Sequence, residues 1–437
     1  MGDSSSIKQG PGGPDRKEIV VRKFLLPVVL VLAFSLLAVS CGKKAEGPVT
    51  LTVWDYYGES TPLKSVAEDF MKANPNITVN IEELGWQAMN DKLDVALAGG
   101  TPPDMATVDM TWLPKLASLG ALSDLDKLSG GKLNGKPISD CYSAGALNAM
   151  KYQGRTITMM YDFDVYCLYY RADLFEKKGL TPPKTWDELV EVAGKLKEGD
   201  KYRYSMQPDA FHPTQFIYEN GGSLLNSDNT KAVFNSPEAV EAVQFYSDLL
   251  LKHDVAIEWT VDKGAFIQGI KDGRIGMFSD GPYMMGVLKT GAPEMSGMWK
   301  VAPHPVGKAG AGSYLGGTGL IVPEKAEHKD AAWKFIQFCF DEKEMTAPFT
   351  KAGASPALTA ALEAPELSAP DSYFGGENAF ACFLEAMNTA KPFPYVRSWD
   401  EISGYFGTAM EQILLGKSSV KDALDEAAAK ADEALAK

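Results

Sequence analysis

The sequence predicts an α/β fold in which helices cover mostly parallel strands, and three observations support that prediction. Strand-like and helix-like segments alternate after residue 48, an order typical of parallel sheets. The 437 residues are enough for two or three domains, each with its own core. An apolar fraction of 45% and a charged fraction of 23% are those of an ordinary globular protein.

The first predicted strand, Val49–Trp54, ends in a cluster of aromatic and acidic residues. Thr61 can cap the next helix, with Pro62 in its first turn. Residues 77–81 alternate as a second strand, and residues 90–98 return to helical spacing. Open α/β sheets bind ligands beyond the carboxyl ends of their strands, so residues that directly follow strands are the candidates for a site.

The net charge of −14 argues against nucleic acid as a partner. Binding to phosphate backbones or anionic headgroups needs clustered cations that displace counterions. The first 41 residues carry five Lys or Arg and three Asp or Glu, so the chain is still more acidic without them. We therefore expect no nucleic acid partner and no direct binding to lipid headgroups.

The N-terminus predicts export. Arg22 and Lys23 precede an uncharged run, Phe24–Val39, which is too short for a bilayer span of about 20 residues and is typical of a signal peptide. Leu37–Cys41 resembles a bacterial lipoprotein box, which implies that Cys41 carries fatty acyl groups such as palmitate and tethers the protein to the bilayer. The predicted location is extracytoplasmic, on the outer face of the cell membrane or in the periplasm.

This interpretation makes residues 1–41 a lipoprotein signal peptide and residues 42–48 a tether. The polar stretch before the uncharged run is long, which suggests that translation starts near Val20 or Val21. Four further cysteines lack the CxxC or Cys/His spacings of zinc and redox sites and are predicted to be structural, with any disulfide among them left open. They are Cys141, Cys167, Cys339 and Cys382.

Several segments, in one order, carry a family resemblance: Gly99–Asp104, Trp112–Pro114, Leu119–Leu125, Thr185–Leu189, Glu219–Gly222, Gly273–Met277, Asp280–Tyr283, Gly316–Gly319 and Ala331–Ile336. Together they cover nearly all of the chain after the tether. The sequence resembles extracellular solute-binding family 1, which includes maltodextrin-binding proteins. The resemblance implies a type II periplasmic-binding-protein fold of two lobes, each a mixed sheet flanked by helices.

In such a fold each lobe is discontinuous in sequence. The resemblance implies that residues 49–162 and 282–344 form lobe 1, and that residues 163–281 and 345–437 form lobe 2. The chain would cross between the lobes at Tyr161–Val165, Asp280–Gly281 and Phe340–Phe349. The C-terminal helices would then lie on lobe 2, and apolar side chains at helical spacing predict the last of them: Val420, Leu424, Ala428, Ala431 and Leu435.

The implied function is the capture of a mono- or oligosaccharide and its delivery to the transmembrane subunits of an ABC permease. The protein would be a monomer that needs no cofactor or metal and catalyses nothing. Sugars present polar hydroxyls and apolar C–H faces, so their sites pair aromatic rings with carboxylates. The predicted ligand-binding residues are Trp54, Asp55, Tyr56, Trp86, Asp109, Trp112, Tyr161, Asp162, Phe211, Asp280, Tyr283, Gly317, Tyr395 and Trp399.

Other interpretations remain open at this point. Asp55, Asp109, Asp162, Asp164 and Asp280 could supply the two carboxylates of a glycoside hydrolase, although nothing fixes their separation. The acidic residues could instead bind a polyamine or another small cation. Tyr169–Tyr170 could suggest a ferric site, but its two side chains point to opposite faces of a strand. Trp186 and Trp333 are expected to fill core.

The lipoprotein interpretation makes a direct prediction about Cys41. Replacing Cys41 by Ala should leave protein that no longer partitions into the detergent phase, because the acyl chains have lost their attachment site. Detergent-phase separation of the two proteins checks this, with Cys141→Ala as the control. Unchanged partitioning of the Cys41→Ala variant would mean that Cys41 does not carry the diacylglyceryl group of a lipoprotein.

Overall fold

In the computed structural model, residues 47–259 and 263–437 are described. The predicted signal peptide 1–41, Cys41 and most of the tether therefore lie outside the described residues. Residues 49–437 form one compact unit. Within the described ranges, no helix has both the length and the apolar character needed to cross a membrane.

The described strands are short and spread along the whole chain. They are β1 (Val49–Asp55), β2 (Ile77–Glu83), β3 (Met105–Asp109), β4 (Lys132–Leu133), β5 (Lys136–Pro137), β6 (Lys151–Tyr152), β7 (Arg155–Thr156), β8 (Met159–Asp164), β9 (Cys167–Arg171), β10 (Arg203–Met206), β11 (Ala256–Glu258), β12 (Ile275–Asp280), β13 (Trp299–Ala302), β14 (Ser313–Ile321), β15 (Ser355–Pro356) and β16 (Ala390–Pro392).

Helices connect most of these strands. They are α1 (Leu63–Ala73), α2 (Trp86–Gly99), α3 (Leu113–Ser118), α4 (Leu125–Ser129), α5 (Ala144–Ala149), α6 (Ala172–Lys178), α7 (Trp186–Leu196), α8 (His212–Glu219), α9 (Pro237–Leu251), α10 (Lys263–Lys271), α11 (Met284–Gly291), α12 (Lys329–Cys339), α13 (Ala347–Ala352), α14 (Thr359–Leu362), α15 (Pro365–Ser368), α16 (Ala381–Met387), α17 (Trp399–Leu414) and α18 (Val420–Leu435).

The first sheet has the strand order β15-β8-β14-β3-β1-β2, with β16 paired to β14. Strand β1 is parallel to β2 and β3, and β14 runs antiparallel between β3 and β8. The carboxyl ends of β1, β3 and β8 therefore lie along one edge of the sheet. Helices pack on this sheet, and their side chains Phe70, Leu93, Leu116 and Trp333 belong to the hydrophobic core of the first lobe.

The second sheet has the strand order β11-β10-β12-β9-β13. Strands β10 and β12 are parallel, and β9 is antiparallel to β12, so the ends of β10 and β12 share an edge with the start of β9. The chain passes from β8 to β9 through Val165 and Tyr166 alone. This short connection places the carboxyl end of β8 next to the start of β9.

The first helices follow from local sequence signals. The Leu63 N–H donates to the Thr61 hydroxyl at 3.0 Å, and α1 buries Leu63, Val66 and Phe70. Helix α2 begins at Trp86, four residues before the predicted start, so Trp86 opens a helix instead of lying in a loop. The predicted C-terminal helix is confirmed as α18, whose first turn is capped by Ser419.

Two boundaries differ from those that the resemblance implies. Strand β13 pairs with β9, so residues 299–302 lie in the second sheet although 282–344 were assigned to lobe 1. Strand β15 pairs with β8, so residues 355–356 lie in the first sheet although 345–437 were assigned to lobe 2. The chain does not change sheets at Asp280–Gly281, because α11 and β13 bury Leu288 and Trp299 in the core of the second sheet.

Candidate functional site

Four strands end in an aspartate: β1 in Asp55, β3 in Asp109, β8 in Asp164 and β12 in Asp280. The first three lie on one edge of the first sheet, and the fourth lies on the facing edge of the second. Carboxylates placed at strand ends are held by the sheets behind them, so their positions do not depend on flexible loops. We call the region between these two edges the cleft.

Aromatic rings from both lobes form a continuous row across this cleft. From the first lobe, Trp112 contacts Tyr56 at 5.7 Å and Trp86 at 5.1 Å between ring centroids. Trp86 meets Phe211 of the second lobe edge to face at 6.2 Å. Phe211 then contacts Trp399 at 6.5 Å. Five of the predicted ligand-binding aromatics are therefore brought together.

Trp86 is the most accessible ring in this row, with 37% of its surface exposed. Its indole N–H donates to Asp109 Oδ2 at 3.1 Å. The other oxygen of Asp109 accepts from the backbone N–H of Thr111 at 2.9 Å and from its hydroxyl at 2.7 Å. Burial raises the pKa of Asp109 despite these bonds. Trp86 is thus fixed at one edge while its ring faces the cleft.

Thr318 on β14 makes hydrogen bonds to three residues of the first lobe that lie beside the cleft. Its hydroxyl lies 2.6 Å from the hydroxyl of Tyr56 and accepts from that of Tyr57 at 3.2 Å. Its backbone N–H donates to Asp162 Oδ1 at 2.8 Å. Burial raises the pKa of Asp162 to about 7. Gly317 has φ +145°, and a β-carbon there would lie 2.2 Å from the carbonyl oxygen of Asp162, so only glycine fits.

On the second lobe, His212 lies between two carboxylates. Its Nδ1 is 2.8 Å from Asp209 Oδ2, and its Nε2 is 4.0 Å from Asp280 Oδ2. Burial alone would lower the pKa of His212, but Asp209 and Asp280 have the larger, opposite effect. The pKa of His212 is therefore raised above its ordinary value. Asp280 Oδ1 accepts from the Gly281 N–H and the Tyr283 hydroxyl, each at 2.8 Å.

One ion pair joins the lobes at the rim of the cleft. Lys115 Nζ of α3 lies 2.5 Å from Asp400 Oδ2 of α17 and 2.7 Å from Asp94 Oδ2 of α2. Asn90 donates to the same oxygen of Asp400 at 3.3 Å. These contacts, with the Trp86–Phe211 contact, show that the lobes meet directly in this structure.

Other predicted site residues lie behind the cleft wall. Trp54 is on the opposite face of β1 from Asp55 and packs under the ammonium of Lys92, 4.0 Å from its ring centroid. Asp55 is fully buried and accepts from the Thr107 hydroxyl at 2.8 Å. Tyr161 is 1% exposed and contacts Phe340 in the first core. These three residues support the wall and do not form its surface.

Tyr395 lies beside β14, where its hydroxyl donates to the Leu315 carbonyl at 3.2 Å. Trp186 and Trp333 have the packing roles expected of them: Trp186 stacks on Phe245, and Trp333 is buried in the first core. Tyr169 is fully buried and donates to the Gly281 carbonyl at 2.8 Å, so the tyrosine pair does not form a joint site.

Among the described residues, no group of three His, Cys, Asp or Glu side chains is placed to hold a metal ion. The four cysteines of that part of the chain, Cys141, Cys167, Cys339 and Cys382, are free thiols.

Sequence reasoning missed several residues of the cleft: Asp164 as a wall residue, Asp209, His212, Thr318, Tyr314, Phe393 and the Lys115–Asp400 pair. Asp209 and His212 follow strand β10, so the strand-end argument applied to Tyr204–Met206 could have found them. Thr318 could not be found in this way, because it lies inside a strand and acquires its role from pairing with β3 and β8.

The raised pKa of Asp162 predicts a specific pH dependence of stability. A carboxyl whose pKa is about 7 in the folded protein stabilises the fold fully below its ordinary value near 3.8, and this contribution is lost as the pH rises through about 7. Asp162→Asn keeps an acceptor for the Thr318 N–H but cannot ionise. Relative to wild type, its free energy of unfolding should rise by about 2 to 3 kcal/mol between about pH 5 and pH 8.

Chemical unfolding at both pH values measures this difference. Asp272→Asn, at an exposed position in the turn that follows α10, is the matched control and should follow the wild-type pH dependence. If Asp162→Asn also follows the wild type, Asp162 ionises at its ordinary pH in the folded protein.

Comparison with known proteins identifies the family. Residues 56–346 match the family described as bacterial extracellular solute-binding protein. The chain is 29% identical over 418 residues to a binding protein of Brucella abortus (strain 2308), an alignment that covers 93% of this chain and 98% of that protein. A lactose-binding protein of Rhizobium radiobacter is 24% identical over 372 residues, with 81% and 85% covered.

A solved structure agrees with these matches. The ABC transporter solute-binding protein of Thermotoga lettingae with bound α-D-tagatose has a TM-score of 0.78 and 27% identity, and the match covers 88% of this chain and 99% of that one. This neighbour has the two-lobed periplasmic-binding-protein fold that the sequence predicted. The chain belongs to the bacterial extracellular solute-binding protein family.

Proposed function

We propose that this protein captures a carbohydrate between its two lobes and delivers it to the membrane subunits of an ABC importer. The observation that carries the proposal is the aromatic row of Tyr56, Trp112, Trp86, Phe211 and Trp399 across the cleft. Flat rings pack on the C–H faces of sugars, and the carboxylates beside them accept hydrogen bonds from hydroxyls.

An unpaired donor in the aromatic row and two similar proteins support the same ligand class, a carbohydrate. Trp112 is fully buried, yet its indole N–H has no hydrogen-bond partner in the protein. A buried donor without an acceptor costs roughly 1 to 3 kcal/mol, so a ligand hydroxyl or ring oxygen at this position would remove a real penalty. The relative from Rhizobium radiobacter is named as lactose-binding, and the neighbour from Thermotoga lettingae holds a monosaccharide.

The remaining parts of the proposal concern where and with whom the protein acts. Its family is extracellular, so the protein acts outside the cytoplasm. An acylated Cys41 would hold it at the membrane next to its permease, and a single chain would suffice to enclose the ligand. The protein would release its ligand chemically unchanged, since a carrier gains nothing from altering its cargo.

Trp86 provides the test, because it is exposed and can be removed without opening a core. We expect Trp86→Ala to weaken binding of the best saccharide by about tenfold to thirtyfold while leaving the melting temperature nearly unchanged. Isothermal titration calorimetry and thermal unfolding measure the two quantities separately.

Trp399→Ala is the informative contrast, since Trp399 is only 3% exposed and packs on Phe393 at 4.5 Å. Its loss should also cost stability, by roughly 3 to 5 kcal/mol. Leu415→Ala, at a side chain that is 61% exposed and outside the aromatic row, should change neither quantity. Full saccharide affinity in Trp86→Ala would show that the ring does not stack on ligand.

A further inference from the structure

The cleft carries aspartates from both lobes that no lysine or arginine neutralises. In the described parts of the chain, no lysine or arginine lies within ion-pair distance of these carboxylates, and His212, which is charged only when protonated, is the one basic side chain among their partners. The carboxylates are Asp109, Asp162, Asp164, Asp209 and Asp280. The nearby ammonium of Lys115 is already paired with Asp94 and Asp400.

Asp164, at the end of β8, lies next to Gly281, the residue that follows Asp280 at the end of β12. Asp164 Oδ2 accepts from the Tyr314 hydroxyl at 3.2 Å, but its Oδ1 is buried and has no hydrogen-bond partner. A β-carbon on Gly281 would lie 1.8 Å from that oxygen, so Asp164 Oδ1 sits directly against the residue that follows Asp280. Burial, together with the neighbouring charges of Asp280 and Asp162, raises the pKa of Asp164 well above its ordinary range.

A second observation at this end of the cleft also points to a missing partner. Gln207 is 9% exposed, and only one end of its side-chain amide is bonded, at 3.2 Å from His212 Nε2. Whichever way the amide is turned, its other end stays buried without a partner. Buried polar groups are almost always paired, so this end of the amide has room for a hydrogen bond from an ordered water or from a polar group of a ligand.

The surplus of acceptors and of negative charge identifies the chemistry that fits. A neutral hydroxyl brings one donor and no charge, whereas an ammonium group brings three donors, no acceptor and a positive charge. An opposite charge close to a buried carboxylate favours its ionised form and offsets the cost of burial. The unpaired indole N–H of Trp112 needs an acceptor, which the ammonium lacks and a sugar hydroxyl supplies.

We propose that the ligand is a saccharide with a free, protonated amino group, held between Asp164 and Asp280 while its ring lies along the aromatic row. This inference rests on the proposed capture of a carbohydrate and narrows it. Gly281 is part of the site, since any side chain there would displace the Asp164 carboxylate. Acidic saccharides are excluded by repulsion, and N-acetylated ones lack the charge.

Matched pairs of sugars test this inference, because the two members of each pair differ only in an amine or a hydroxyl at C2 of each sugar ring. The probes are glucosamine with glucose, galactosamine with galactose, mannosamine with mannose, and the disaccharide chitobiamine (two β-1,4-linked glucosamines) with cellobiose. Each is titrated calorimetrically into the purified protein at neutral pH. In at least one pair the amine should bind about tenfold or more tightly than its hydroxyl partner.

The location of the amine is tested by Asp164→Asn, which keeps the shape of the side chain but removes its charge. The ratio of amine to hydroxyl affinity should fall toward one in this variant, and a ratio is insensitive to general damage that affects both sugars. Asp272→Asn, exposed in the turn that follows α10, should keep the wild-type ratio. An unchanged ratio in Asp164→Asn would overturn the assignment of Asp164.

Different results would contradict the amino-saccharide inference and the proposed capture of a carbohydrate. If hydroxyl sugars bind and no amine binds more tightly than its partner, the amino-saccharide inference is wrong and the capture of carbohydrate stands. If no sugar of any pair, and no longer oligosaccharide of glucose or mannose, binds while spermidine does, the proposed carbohydrate function fails as well.

Discussion

The burial of carboxylates at strand ends is the constraint on which the rest of this structure depends. An ionised carboxylate that leaves water without a partner is very costly, so each such group must be hydrogen-bonded, protonated or neutralised. Asp109 accepts hydrogen bonds from the Thr111 N–H and hydroxyl, and Asp280 accepts them from the Gly281 N–H and the Tyr283 hydroxyl. The two sheets face each other across groups that are only partly satisfied, which makes the cleft a place where a ligand can stabilise the closed arrangement.

The local parts of the fold could be predicted from sequence, because their signals lie within a few residues. Alternation predicted β1 and β2, the Thr61–Pro62 pair predicted the start of α1, and apolar spacing predicted α18. The boundaries between lobes could not be predicted in this way. Whether β13 joins the first or the second sheet depends on its pairing with β9, which is more than 120 residues earlier in the chain.

The residues of the candidate site also fall into those that local sequence could predict and those that it could not. The aromatics next to predicted strand ends, such as Trp86 and Trp112, could be selected because a strand end fixes where its following loop lies, whereas Phe211 was selected from the family resemblance. Sequence alone could not show that Trp54 faces away from the cleft, beneath Lys92. Which side of a strand faces the ligand depends on which helix covers the other side. The Lys115–Asp400 pair joins residues 285 positions apart and has no local signature.

The contacts between the lobes also explain why a ligand should control closure. A partly exposed ion pair contributes at most about 1 kcal/mol, and the edge contact of Trp86 with Phe211 adds a similar amount. These contacts hold the lobes together only weakly without ligand, and a bound saccharide that touches both walls shifts the equilibrium toward closure by its differential affinity. Small-angle X-ray scattering of the protein, with and without a saturating saccharide, tests this most directly. The account predicts that the radius of gyration falls on binding, and identical scattering curves for the free and the saturated protein would contradict it.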